Sequence, residues 1–170
     1  MNLRDAVKTD DYELVKSVLE QSSDPGQEEL SAALTASVDC EDLRIIQLLI
    51  EHGADVNFRS KESPDRYPPL LWAVEEGRPD VIQLLATYGA DLNIQSSVGN
   101  TALHLALDIE MVTASEWIEP PEMEISKLLY DSEADPTIRN QKGISCIDMV
   151  RERNFPEALA LFLKRYPEHG

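Results

Sequence analysis

The chain has 170 residues, 42% of them apolar and 28% charged, and its 15 Lys and Arg stand against 32 Asp and Glu for a formal net charge of −17. This length suits one domain, and the composition can bury a core, which excludes a disordered tail. The acidic excess argues against nucleic acid or an anionic membrane surface as partner, because both need a basic face.

The N-terminal stretch MNLRDAVKTDDYELVK has no apolar h-region and no small-residue cleavage site, so it does not read as a signal peptide. No run approaches the roughly 18 apolar residues of a membrane span. Leu3 and Ala6 open a first helix, and YELVKSVLE (12–20) carries a second. The pattern then recurs. Leu34 opens a second unit that closes on IIQLLIEHGADVN (45–57), and Leu70 opens a third that closes on the near copy VIQLLATYGADLN (81–93). Gly53 and Gly89 are 36 residues apart, and each lies 19 residues after its opening leucine. TALHLA (101–106) opens a fourth unit, with Leu103 33 residues after Leu70. Ile147 and Val150 open a fifth, whose second helix is PEALALFL (156–163). In the second helices apolar residues recur at helical spacing: Ile45, Leu48, Leu49; Val81, Leu84, Leu85; Ile125, Leu128, Leu129. Gly53 and Gly89 stand just beyond these runs, where a left-handed residue closes a helix, and Glu133 takes that slot in the fourth unit.

These segments resemble the ankyrin-repeat family, whose unit of roughly 33 residues opens on TPLHxA, holds two helices and closes on GADVN before a projecting hairpin. The resemblance rests on Pro69, Leu70 and Ala73, on Thr101, Leu103, His104 and Ala106, and on the two GAD closes. It implies an all-α fold, an ankyrin-repeat solenoid of helix-turn-helix units with projecting hairpin loops. The expected organisation is a single domain over 1–170, with units at about 1–31, 32–67, 68–100, 101–144 and 145–170. Such units stack because one helix pair cannot bury its own apolar face. Thr101 and His104 fit the family's habit of bonding a threonine to a histidine at the first helix start, which makes His104 a structural histidine.

Two departures from the repeat mark candidate contact surfaces, since insertions in a solenoid map to surface loops. The finger FRSKESPDRY (58–67) is three residues long beyond the family spacing and carries Arg59, Asp65 and Tyr67; Arg78, just past the next opening, adds to its basic residues. The fourth unit holds 11 extra residues, expected between its helices within DIEMVTASEWIEPPE (108–122). Asp108 to Asp135 has nine acidic residues and one basic residue. There Trp117 stands among Glu116 and Glu119, either folded back from a solvated loop or serving as a contact anchor. Trp72 occupies a variable slot that faces the concave surface in the resembled family, and Glu75 and Glu76 share its helix face. The equivalent slots hold Asp39 in unit two and Leu105, Asp108 and Ile109 in unit four. Trp72 either packs between inner helices or, with these residues, forms an acidic groove. The C-terminal stretch from Thr137 carries six basic and four acidic residues, opposite in sign to the rest.

Nothing converges on catalysis. The three histidines form no metal triad or Cys–His pair, and no phosphate-binding loop, dinucleotide fingerprint or nucleophile elbow occurs. Cys40 and Cys146 match no disulfide or metal spacing and suit a reducing, cytoplasmic setting; Cys40 reads as a small buried residue rather than a reactive thiol. No cofactor and no metal are expected. The leading reading is a monomeric, non-catalytic module that docks a basic protein through an acidic concave face and thereby inhibits it, as an immunity-type inhibitor does. The alternative is a scaffold or adaptor that bridges two proteins.

Overall fold

The computed structural model describes residues 1–22, 25–59, 67–114 and 123–167, with the backbone alone at 112–114. The chain forms two compact bodies, Met1–Ala90 and Asp91–Gly170. The described residues contain α-helices, turns and one isolated antiparallel bridge, Arg139 to Ser145, but no strand.

The N-terminal body holds three helix pairs: α1 (Leu3–Val7) with α2 (Tyr12–Gln21), α3 (Gln27–Ala36) with α4 (Leu43–Glu51), and α5 (Pro69–Glu75) with α6 (Pro79–Thr87). A single 3₁₀ turn, Ser37–Asp39, continues α3. Local chemistry sets the helix starts. Asn2, Asp11 and Asp42 accept backbone N–H groups of the first turns, from Asp5, Leu14 and Arg44. Pro69 and Pro79 stand in the first turns of α5 and α6, where a proline's missing N–H would have no helical partner. α3 begins at Gln27, upstream of the opening expected near 32. Gly26, with φ of 70°, breaks the chain before it, and Glu28 and Glu29 suit the positive end of the helix. α1 packs on α2 and α3, α3 on α4, and α5 on α6 and the 3₁₀ turn. Leu3, Ala6, Leu34, Ile45, Leu49, Leu70, Val74, Val81 and Leu85 are buried between them.

The C-terminal body holds α7 (Ala102–Ala114) with α8 (Glu124–Asp131) and α9 (Cys146–Glu152) with α10 (Pro156–Leu163). α7 packs on α8 and α9, and α9 on α10. A capping box starts α9: the Ser145 hydroxyl accepts the Asp148 N–H at 3.2 Å, and the Asp148 carboxylate accepts the Ser145 N–H at 3.0 Å. The 11 extra residues do not all lie between the helices. α7 continues through Ala114, because no glycine or proline interrupts the sequence from Ala102 until Pro120. In α8 the buried stripe is rotated from the expected one. Ser126, Leu129 and Tyr130 are buried, whereas Ile125 and Leu128 are only half-buried. On that face the Tyr130 ring packs on Phe162 at 5.2 Å between centroids.

Three second helices close with one geometry. Gly53, Gly89 and Glu133 have φ of 97°, 83° and 76°. The residue after each, Ala54, Ala90 or Ala134, is buried and donates its N–H to Leu49, Leu85 or Leu129, each time at 3.0 Å. The aspartate that follows turns the chain: Asp55, Asp91 and Asp135 accept the N–H of Asn57, Asn93 and Thr137 at 2.8–2.9 Å. Gly99 is constrained differently. Its φ is 82°, and a Cβ there would lie 2.7 Å from the backbone nitrogen of Gln141, whose N–H donates to Val98.

Two outcomes follow from these turns. Glu133→Gly relieves a left-handed side chain and is expected to raise the melting temperature by about 2 °C, allowing for the looser unfolded chain. Gly99→Ala should cost about 1–3 kcal/mol in urea unfolding, because both φ and the close backbone oppose a methyl group.

Candidate protein-binding surface

α5 exposes a narrow stripe because its other positions are apolar and buried. Leu70, Leu71, Ala73 and Val74 face the core, which leaves half-buried Trp72 and exposed Glu75 and Glu76 on one side. The Trp72 ring meets the Tyr67 ring edge-on, with centroids 5.7 Å apart and planes at 66°. Tyr67 itself is only 9% exposed, so its ring braces Trp72 and is not open to a partner. Asp39 is exposed at the end of the 3₁₀ turn against which α5 packs.

Arg78 fixes that turn. One guanidinium nitrogen donates to the carbonyls of Val38 and Cys40, both at 3.0 Å, while the others hold Asp80. Hydrogen bonding from Arg78 keeps the Asp80 carboxyl below the usual carboxylate range. Arg78 is therefore a tie between repeats rather than part of a basic finger. Arg59 is exposed, and Asp65 falls outside the described residues.

In the C-terminal body Leu105 is half-buried, Asp108 is exposed and Ile109 is 40% exposed, all on α7. Asp108 is ion-paired with Arg153 at 2.8 Å, so this slot is locally neutralised. Glu116, Trp117 and Glu119 lie outside the described residues.

A further carboxylate, Glu110, has a role that the acidic composition hid. It is 8% exposed and reaches from α7 to the start of α8, where Met123 offers no side-chain cap. Its oxygens accept the N–H of Ile125 at 2.8 Å, the N–H of Ser126 at 3.3 Å and the Ser126 hydroxyl. Burial raises its pKa, and the bonds from Ser126 and Ile125 oppose the rise. No spacing in the sequence separates Glu110 from its solvated neighbours.

His104 and the two thiols are built into the structure. Nδ1 of His104 accepts from the Thr101 N–H at 3.2 Å and faces its hydroxyl at 2.8 Å, and Nε2 lies 3.1 Å from the Ile144 carbonyl. Burial lowers its pKa, which favours the neutral ring that donates from Nε2. The Cys40 thiol lies 3.3 Å from the Val7 carbonyl. Burial, followed by Asp10, pushes it up to about 12 despite the nearby Arg78. Burial also raises the Cys146 thiol. Among the described residues no group of three His, Cys, Asp or Glu could hold a metal ion. No helix of the described residues is long and apolar enough to cross a membrane.

The paired helices, the left-handed closes and the Thr101–His104 bond define an ankyrin-repeat fold. The chain belongs to the ankyrin-repeat family, whose three-copy repeat model matches residues 3–96, more than half of its length. Among solved structures it is similar to the ankyrin repeat domain of Bcl-3, described as a unique member of the IkappaB protein family. The two share 26% identity and a TM-score of 0.71 over 85% of this chain. The chain spans about 60% of that domain's length. No curated protein matches the sequence. Ankyrin repeats are protein-binding modules, and this is the general class of function that the fold supports.

Glu110 provides a test of the packing beneath this surface. Glu110→Ala should cost about 1–2 kcal/mol in urea unfolding at neutral pH, the worth of a lost helix cap. Glu110→Gln tests the charge. Because the folded pKa is raised, the native state binds the proton more tightly than the unfolded one, and the charged form carries a cost above that pKa. The stability of Glu110→Gln relative to the parent should therefore rise from about pH 4 to about pH 7.

Proposed function

We propose that the chain is a non-catalytic protein-binding module that docks a basic partner through acidic surfaces and, by covering it, inhibits it. The supporting observation is the exposed stripe of α5, where Trp72 stands beside Glu75 and Glu76 in a chain of net charge −17. Asp39 extends that stripe in the N-terminal body, and Leu105 and Ile109 are the candidate contacts of the C-terminal one, where Asp108 is already paired with Arg153. A half-buried tryptophan braced by a second ring supplies a rigid apolar anchor of the type enriched at interface centres. Carboxylates around it speed encounter with a positive surface and disfavour acidic competitors. Ankyrin repeats act by binding, and masking a partner's working surface is the simplest effect of binding. The module is read as a monomer acting in the cytoplasm.

Capture on the immobilised chain, followed by identification and assay of what is retained, tests this reading. The expected partner is basic, loses its activity on titration with the module, and binds at least tenfold more weakly when salt rises from about 50 to about 500 mM. Trp72→Ala and the triple change Asp39→Asn, Glu75→Gln, Glu76→Gln should each weaken it about tenfold or more. A partner that stays active when saturated would favour an adaptor instead. Salt-insensitive binding to a neutral protein would remove the electrostatic part.

A further inference from the structure

We propose that Trp72 and Glu76 together seat an arginine side chain of the partner; this rests on the acidic docking surface proposed above and specifies its chemistry. Glu76 caps the C-terminus of α5 with helical backbone angles, and its N–H donates to the Trp72 carbonyl at 2.9 Å, so its side chain lies one turn beyond that of Trp72. The Glu76 carboxylate makes no ion pair or hydrogen bond with any described residue, unlike Asp80, Asp108 and Asp148, each of which holds an arginine. The indole N–H of Trp72 likewise finds no acceptor among the described residues. The ring of Tyr67, itself 9% exposed, packs against the indole in a T-shaped arrangement with centroids 5.7 Å apart. In the preceding repeat the slot equivalent to Trp72 is Ala36, which carries no group beyond Cβ to compete for the indole face.

The seat therefore offers a half-buried indole held against a second ring, and a carboxylate four residues on and an indole N–H that have no partner among the described residues. A guanidinium meets all three needs. It stacks flat on an indole, pairs with a carboxylate through parallel N–H groups, and comes on a backbone whose carbonyl can accept the indole N–H. An ammonium satisfies the carboxylate but not the stacking geometry. Arginine–aromatic contacts already occur within this chain, where the Arg165 guanidinium carbon lies 4.5 Å from the Tyr130 ring centroid and that of Arg44 4.5 Å from that of Tyr12. Residues 1–90 carry 18 acidic and eight basic side chains, so the surrounding field favours the same cation.

Titration of ¹⁵N-labelled protein at low salt with hexa-arginine, and separately with hexa-lysine, tests the seat. The indole N–H resonance of Trp72 is assigned with Trp72→Phe. It should move with hexa-arginine at a several-fold lower peptide concentration than with hexa-lysine. Glu76→Gln, with amide dispersion retained, should raise the hexa-arginine midpoint at that resonance about three- to tenfold. Hexa-arginine shifting backbone amides while the Trp72 indole stays fixed would overturn the seat and leave the acidic docking surface standing. An equal response to both peptides, or an unchanged midpoint in Glu76→Gln, would also overturn it. Failure of hexa-arginine to bind at all would remove the seat and the docking surface together.

Discussion

A helix of seven to ten residues cannot stay folded in water unless its apolar stripe is covered, and a single pair of such helices leaves one side of that stripe bare. Every other feature of the chain depends on this constraint. Leu3, Leu34 and Leu70 recur at one position of successive first helices and are buried in the N-terminal body, while Leu103 does the same in the C-terminal one. The helices can meet this way only if each second helix ends sharply and returns the chain to the next opening. Hence the repeated closes at Gly53, Gly89 and Glu133, in which the following alanine is buried and the aspartate after it turns the backbone. Sharing one geometry with two glycines, Glu133 shows that the repeat's stacking overrides a local preference of about 1 kcal/mol.

The acidic composition has a structural share that a net charge conceals. Asp10, Asp11, Asp42, Asp55, Asp91, Asp135, Asp148 and Glu110 all accept backbone N–H groups. Several cap helices that begin without another partner, where a carboxylate also meets the positive end of the helix dipole. Short helices have many ends per residue, so a chain built from them finds repeated use for Asp. Glu110 is the extreme case. Its own helix runs past the usual length, α8 starts without a cap of its own, and the carboxylate of the one supplies the cap of the other.

What was legible in the sequence divides along the same physical line. The helix pairs and their closes could be read because they obey short-range rules: an apolar period, a left-handed slot, a Thr-x-x-His start. The starts of α3 and the end of α7 were less legible, since each depends on where a breaker is absent. Gly26 allowed α3 to begin early, and the run from Ala102 to Ala114 holds no glycine or proline to interrupt α7. The rotation of α8 could not be read at all. Ile125 and Leu128 fit the helical period as well as Tyr130 does, and the partner of Tyr130, Phe162, lies far along the chain. The candidate surface was partly legible. Trp72 and its glutamates follow from helix spacing, but the burial of Tyr67, the pairing of Asp108 with Arg153 and the tie made by Arg78 are long-range contacts.

These long-range contacts change how the charge should be weighed. A carboxylate that already caps a helix or holds an arginine still contributes to the far field, which governs encounter, but it cannot re-form its bonds around a partner without loss. Specific affinity must then come from groups that the fold leaves unengaged. Asp108, Asp80 and Asp148 fail that criterion through their arginines, and Tyr67 fails it through burial. Glu76 meets it, and so does the exposed part of Trp72. The proposed selectivity thus rests less on how many acids the chain carries than on which of them the packing within each body has not already used.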